Sequence, residues 1–174
     1  VKYPDGTWAS NLDYPGMEGG PNPVQVGQEY ENYLKTNTVL GNAFINITLA
    51  EGLELRSSVG INSISQGTDE YAGRDLNFIG TPTNGYAQKN SRQFFSWQFE
   101  NYLTYNKSFG DIHSITAMLG VSWQQTETST YNIRVNNFSD DFFSFNNLGA
   151  GSVLVAPSSN ANTEGINSYF GRVN

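Results

Sequence analysis

The stretch Ser108–Trp123, with the sequence SFGDIHSITAMLGVSW, decides the fold class because its apolar residues recur at every second position. From Ile115 to Trp123 the odd-numbered residues are apolar, and polar or small residues such as Thr116 and Ser122 separate most of them. A period of two places alternate side chains on opposite faces of a β-strand. The stretch therefore predicts a strand with one apolar face, which contacts either the core of a soluble protein or membrane lipid.

Four further stretches alternate in the same way and predict four more strands. Their sequences are TVLGNAFINITLA at 38–50, LELRSSVGINSIS at 53–65, QFFSWQFENYLTYNK at 93–107 and INSYFGRVN at 166–174. Short turns, one of them at Glu51-Gly52, join these strands into hairpins over 36–66 and 93–126, and 166–174 starts the next strand. The remaining segments lack a sustained period and predict long loops at 1–35, 67–92 and 127–165.

Three features favour lipid as the contact of the apolar face. Charged side chains within the predicted strands lie on the polar face, namely Glu54, Arg56, Glu100 and Arg172. The alternation from Phe95 to Tyr105 lasts eleven residues, and a tilted strand of that length rises roughly 25 Å, which matches the lipid-facing band of a barrel. Aromatic residues lie toward both strand ends, as in a membrane girdle.

The connections point in the same direction, because short turns alternate with long loops as they do in outer-membrane barrels. Five strands cannot close a barrel, and lipid does not tolerate open sheet edges. The predicted fold class is therefore all-β: a sector of a large antiparallel transmembrane β-barrel, with short periplasmic turns and long extracellular loops. The chain opens without an initiator Met and ends within an alternating stretch, so we expect it to be an internal part of a longer protein.

Composition excludes several classes of function. The net charge is −7 and the nine Lys and Arg residues are scattered, which argues against a nucleic-acid partner. There is no Cys, so neither a disulfide framework nor a thiolate metal site is available. Only 14% of the residues are charged, and the mean hydropathy is −0.45 with no apolar run of the length that a membrane-spanning helix needs.

The chain resembles a known family at several points in order. The segments concerned are PDGTW at 4–8, NPV at 22–24, LGNAFINITLAEGLELRSSVGIN at 40–62, ENYLTYNKSFGDIHSITAMLGVSWQQ at 100–125 and SYFGRVN at 168–174. Together they are similar to the β-barrel region of the SusC/RagA-like TonB-dependent outer-membrane transporters. The most specific part is the second hairpin, where a Phe-Gly turn precedes His113 and an alternating Leu-Gly-Val-Ser run.

The resemblance implies the function and partners of the whole parent protein. It implies a plugged barrel in the Gram-negative outer membrane that imports glycan fragments or peptides. It also implies a SusD-like surface lipoprotein as partner and TonB as the source of energy, through parts of the parent protein outside this chain. No cofactor is expected.

Two sets of side chains are candidates for contact with a solute or a partner. The charges expected to point into the barrel lumen are Glu54, Arg56 and Glu100, which either contact the plug and a passing solute or pair with one another. The loop residues expected to contact substrate or lipoprotein are Tyr71, Phe78, Tyr86, Phe138, Asp140, Asp141, Phe142 and Phe143, whose rings suit stacking on sugars or packing against a protein.

No catalytic or metal site is predicted. His113 is the only His and lies beside a short turn, so a structural role is expected. No two carboxylates form a recognisable acid/base pair, and the protein is not expected to be an enzyme. Asp140 and Asp141 carry oxygen ligands of the kind that Ca²⁺ prefers, but their spacing matches no EF-hand loop.

Two other classes of protein remain open from the sequence. A secreted soluble β-sandwich that binds carbohydrate through loop aromatics would also show alternating strands. A passive porin-like channel would share the wall and lack only the plug. Substrate identity is equally open, since glycan and peptide importers would share these strands.

Overall fold

The computed structural model describes residues 2–9, 22–76, 83–110 and 112–174. Its elements are a short helix α1 (Pro23–Glu29) and five strands: β1 (Tyr30–Ala50), β2 (Leu53–Ala72), β3 (Tyr86–Phe109), β4 (His113–Phe138) and β5 (Gly151–Val173). The strands form one sheet in the order β1-β2-β3-β4-β5. The sheet is antiparallel and is not closed. The predicted fold class, a sector of an antiparallel β-barrel, is confirmed.

The two short turns follow from glycines in the left-handed region. Gly52, between β1 and β2, has a φ of 75° and Gly110, after β3, has a φ of 65°. A Cβ atom on Gly52 would lie 2.1 Å from the carbonyl oxygen of Asn106, whose backbone N–H donates to the carbonyl of Gly52 at 2.7 Å. Only glycine fits this position, since both the backbone angle and the close approach of the β3 backbone exclude a side chain.

Every strand is longer than its alternating stretch, and the strands extend into the segments 1–35, 67–92 and 127–165 that were expected to be loops. β2 continues to Ala72, β4 continues to Phe138, and β5 begins at Gly151. Outside the strands, the described residues of these segments are 73–76, 83–85 and 139–150, and the last of these ranges contains 3₁₀ turns at Ser144–Asn146 and Leu148–Ala150. The apolar period stops before the strands do because both faces of their distal parts carry polar residues, whereas backbone hydrogen bonding continues.

The chain divides into two compact units, which we call the loop unit and the turn unit. The loop unit comprises Val1–Thr36, Gln66–Ser91 and Thr130–Asn160, and the turn unit comprises Asn37–Ser65, Arg92–Ser129 and Ala161–Asn174. Among the described residues, all buried hydrophobic side chains belong to the loop unit, namely Ala9, Tyr71, Ala72, Leu76, Ala87, Val135 and Phe138. The turn unit therefore has no hydrophobic core of its own.

The core of the loop unit forms where the β4–β5 connection packs against the sheet. Tyr71 and Phe138 make an edge-to-face ring pair with centroids 5.4 Å apart, and Ala87 completes the buried cluster. Phe145, Leu148 and Ala150 from the connection cover it. At the edge of the same unit, Asn22 caps α1 by accepting a hydrogen bond from the backbone N–H of Val24, as side-chain oxygens do at helix starts.

Candidate functional site

The apolar face of the turn unit is exposed in the chain. Its large side chains retain substantial solvent-accessible area, and they include Val39, Ile45, Ile47, Leu49, Val59, Ile61, Phe95, Phe99, Tyr105, Ile115, Leu119, Tyr169 and Val173. Leu119 is 67% exposed, and the rings of Phe99 and Trp123 stack with centroids 5.9 Å apart. No second sheet covers this face among the described residues, so the packing of a two-sheet sandwich is not observed there. A continuous apolar surface of this size is suited to contact with lipid.

The opposite face of the turn unit brings two of the three predicted lumen charges into one groove. Arg56 and Glu100 line a concavity of about 390 Å³ together with Phe44 and Tyr102. The guanidinium carbon of Arg56 lies 4.2 Å from the ring centroid of Phe44. The Glu100 carboxylate accepts hydrogen bonds from Gln98 at 2.6 Å and from the Tyr102 hydroxyl at 3.3 Å.

Glu54, the third predicted lumen charge, is exposed on β2 and does not line this groove. Arg56 and Glu100 form no salt bridge with each other in the described part of the chain. The groove therefore presents separate positive and negative groups to whatever enters it.

Tyr71 and Phe138, expected from the sequence to contact a ligand, are instead part of the core. Tyr71 is 3% exposed and Phe138 is 2% exposed. A ring enclosed to this extent has no free face on which a sugar or peptide can stack, so their role is to pack the β4–β5 connection onto the sheet.

Asp141 anchors the connection through three donors. Its carboxylate accepts hydrogen bonds from the Tyr71 hydroxyl at 2.7 Å, from the Arg74 backbone N–H at 3.1 Å and from Arg74 Nε at 3.2 Å. Arg74 Nη1 also donates to the carbonyl of Ser139 at 2.9 Å. Asp141 therefore has an anchoring role in this structure.

The pKa values of this anchor follow from its contacts. Burial opposes ionisation of Asp141, but the hydrogen bonds from Tyr71 and Arg74 outweigh burial and hold the pKa of the carboxyl below its ordinary value. Burial, reinforced by the hydrogen bond to Asp141, raises the pKa of Tyr71. At neutral pH the pair is thus a neutral phenol donating to a carboxylate.

Phe142 and Phe143 are the predicted loop residues that remain available for contact. Phe142 is 85% exposed and Phe143 is 50% exposed, and their rings pack edge to face with centroids 4.9 Å apart. Asp140 accepts a hydrogen bond from the backbone N–H of Phe142 at 3.1 Å, which shapes the turn that presents the pair. Phe78, another of the predicted loop aromatics, lies outside the described residues.

Tyr86 belongs to a cluster that the sequence interpretation did not recognise. The Glu70 carboxylate accepts hydrogen bonds from the hydroxyls of Tyr30 at 2.9 Å and Tyr86 at 2.6 Å. The guanidinium carbon of Arg134 lies 3.9 Å from the ring centroid of Tyr86. Burial, followed by the bond to Glu70, raises the pKa of both tyrosines. The signal in the sequence was the alternation YNIRVNNF at 131–138, which places Arg134 and its even-numbered neighbours on one face of a strand.

Other candidate features of the sequence stay separate from these clusters. His113 is exposed at the start of β4. Within the described ranges there is no group of three or more His, Asp or Glu side chains arranged to hold a metal ion. No helix in those ranges has both the length and the apolar character required to cross a membrane.

An open antiparallel sheet with one exposed apolar face and one polar, groove-bearing face defines a sector of a β-barrel wall. No protein-family model matches the chain. Among curated proteins it is 29% identical over 170 residues to TonB-dependent receptor P3 of Formosa agariphila, covering 98% of this chain and 16% of that protein. It is 27% identical over 132 residues to TonB-dependent receptor P39 of the same organism, covering 75% of this chain and 12% of that protein.

Solved structures agree on the fold. The chain matches the RagAB peptide transporter with a TM-score of 0.81 at 19% identity, covering 96% of this chain and 18% of the matched one. It matches the RagAB peptide importer in the open-open state with a TM-score of 0.78 over the same coverage. The predicted resemblance to TonB-dependent transporters of the SusC/RagA type is thereby confirmed. The chain spans less than a fifth of the length of these relatives.

Proposed function

We propose that the chain is part of the barrel wall of a TonB-dependent importer in the Gram-negative outer membrane. The observation that carries this proposal is the exposed apolar face of the turn unit, combined with similarity to a TonB-dependent receptor along 98% of the chain. The apolar face contacts lipid and the opposite face contributes to the lumen. The relatives are named as receptors and transporters, which supports transport rather than catalysis.

The importer moves glycan fragments or peptides and acts with a SusD-like surface lipoprotein. The RagAB proteins are titled a peptide transporter and a peptide importer, which supports this range of substrates. Arg56 and Glu100, in the groove on the polar face, contact the plug or the passing solute, and Glu54 adds a charge to the same face. Asp140 and Asp141 shape the loop that presents Phe142 and Phe143 for contact with substrate or lipoprotein.

The test of import uses the full-length transporter in cells of the source organism. Cells that carry the gene should accumulate labelled oligosaccharide or peptide from a library of the two classes, and accumulation should stop when tonB is deleted or the membrane potential is collapsed. Uptake that persists without TonB would instead support a passive channel. Absence of any gene-dependent uptake, with the protein present in the outer membrane, would overturn the proposal.

The contact role of Phe142 and Phe143 has a separate test. The double variant Phe142→Ala/Phe143→Ala should weaken lipoprotein capture or substrate uptake in the full-length protein, because two exposed rings at one site contribute to binding without supporting the fold. The matched control is Ile112→Ala, since Ile112 is 87% exposed but lies at the short turn before β4. Unchanged capture and uptake in the double variant would remove this role.

A further inference from the structure

The cluster around Arg134 has two donor groups for which the described residues provide no acceptor. Arg134 Nε donates to the side-chain oxygen of Asn136 at 3.0 Å, and its guanidinium stacks on Tyr86. Within the described residues, Nη1 and Nη2 donate no hydrogen bond and Arg134 forms no salt bridge. The side chain is partly exposed. The outer edge of the guanidinium is therefore oriented by two contacts and open to a ligand.

Two other cations of the loop unit have direct counterions. Arg74 is paired with Asp141 at 3.2 Å, and Lys89 is paired with Asp69 at 2.6 Å. Arg134 has an acidic neighbour in its cluster, Glu70, but one carboxylate oxygen of Glu70 accepts both tyrosine hydroxyls and no ion pair forms between the two residues. Among the residues that the structure describes, the charge of Arg134 is thus held in place without a direct counterion.

Neutral amides extend the surface beside Arg134. Asn132, two residues before Arg134 on β4, donates from its amide to the side-chain oxygen of Asn90 on β3. Gln88 donates to the same oxygen at 3.4 Å. All three amides are partly exposed. Amide groups of this kind hydrogen-bond to sugar hydroxyls or to peptide groups, and they add no charge.

We propose that Arg134 binds a carboxylate group of the imported solute, with the Asn90 and Asn132 amides contacting its neutral part. A planar guanidinium with two free terminal nitrogens matches the two oxygens of a carboxylate. Stacking on Tyr86 and the hydrogen bond to Asn136 already orient the guanidinium, so the side chain loses less conformational entropy on binding. The proposal rests on the proposed import function and narrows its substrate to acidic members: a peptide with a free C-terminus or an oligosaccharide containing uronic acid.

The test is calorimetric titration of the purified full-length transporter with two pairs of probes. One pair is an acetylated tetra-alanine peptide with a free C-terminus and its C-terminal amide. The other is tetragalacturonate and its tetramethyl ester, in which all four carboxylates are neutralised. Within each pair only carboxylate groups change, so the ratio of the two affinities measures carboxylate recognition, and the responding pair identifies the source of the carboxylate.

In the wild type the carboxylate form of at least one pair should bind about tenfold more tightly than its neutral counterpart, as expected for one charge-assisted contact. Arg134→Gln should bring the ratio close to one and leave the neutral probe unchanged, which also shows that the fold is intact. Arg134→Lys should retain part of the preference for the carboxylate form, since lysine keeps the positive charge but lacks the planar guanidinium. Glu70→Gln should increase the ratio because it removes a nearby negative charge.

Arg172→Gln is the matched control, because it removes the same charge from an exposed position in the turn unit. Its affinity ratio should equal that of the wild type. A wild-type ratio of one for both pairs, or an equal ratio in the wild type and Arg134→Gln, would overturn the inference. If TonB-dependent uptake is intact in either of those cases, the import function stands and only the carboxylate site is refuted. Loss of uptake itself would count against the proposed function instead.

Discussion

Asp141 links the β4–β5 connection to β2 and to the residues that follow it. One carboxylate receives hydrogen bonds from Tyr71 and twice from Arg74, and hydrogen bonds to a charged group are among the stronger ones in proteins. We expect Asp141→Asn to raise the rate of hydrogen exchange across 139–150 by about fivefold to tenfold, because the amide keeps the geometry but loses the charge. The measurement is exchange mass spectrometry of the full-length transporter.

Asp140→Asn is the control for this prediction. Within the described part of the chain, Asp140 accepts only local hydrogen bonds, from the Phe142 backbone N–H and the Ser139 hydroxyl. Its neutralisation should therefore change exchange at Phe142 and leave the rest of the connection protected. Equal effects from both substitutions would mean that Asp141 is not the anchor.

The lowered pKa of Asp141 gives the same contact a dependence on pH. A carboxyl whose pKa is lower in the folded than in the unfolded protein stabilises the fold above its unfolded pKa of about 3.9, and this contribution is lost as the pH falls through the folded pKa. Protection of 139–150, corrected for intrinsic exchange, should thus be constant at neutral pH and fall only below about pH 4. In Asp141→Asn this fall should be absent, and a fall already complete at pH 5 would contradict the assignment.

At the scale of elements, the spacing between β4 and β5 depends on a glycine. A Cβ atom on Gly120 would lie 2.1 Å from the Phe170 ring, and Tyr102 on β3 faces that ring with a centroid separation of 6.0 Å. We expect Gly120→Ala to destabilise the barrel by about 1–3 kcal/mol, since the ring has to move. The measurement is the temperature at which the full-length barrel loses its heat-modifiable mobility on a detergent gel.

Gly60 on β2 provides a matched control for this substitution. A Cβ atom there would meet nothing within 4 Å, so Gly60→Ala should leave the transition temperature unchanged or raise it slightly by reducing the entropy of the unfolded chain. If the two alanine variants have the same transition temperature, contact with Phe170 does not determine the strand spacing.

The strands also show how far sequence patterns can predict this fold. Alternation located all five strands and both short turns, because side chains between Asn37 and Ser65 are mostly apolar on one face and more polar on the other. It missed the distal parts of the strands, where both faces are polar over most of their length and an alternating run such as Ile133 to Val135 is short. The clusters around Asp141 and Glu70 were missed for a different reason: their members are up to 70 residues apart in sequence, and only strand register brings them together.

At the scale of the whole molecule, the environment of the apolar face determines how a charge is tolerated there. Leu119 is 67% exposed in the chain, and the neighbouring Met118 belongs to the opposite face of the same strand. Near the midplane of a bilayer a lysine costs about 2–4 kcal/mol on the lipid face and much less in the lumen. In water, the same substitution at an exposed position would change the free energy of unfolding very little.

We therefore expect Leu119→Lys to lower the midpoint of guanidinium unfolding of the full-length transporter in lipid vesicles, and Met118→Lys to lower it much less. The two substitutions introduce the same charge at adjacent positions, so depth, strand and side-chain length are matched and only the face differs. If Leu119→Lys is as well tolerated as Met118→Lys, the apolar face does not contact lipid, and the sheet requires a protein surface to cover it. A large difference between the variants instead means that the bilayer itself covers the apolar face of the turn unit.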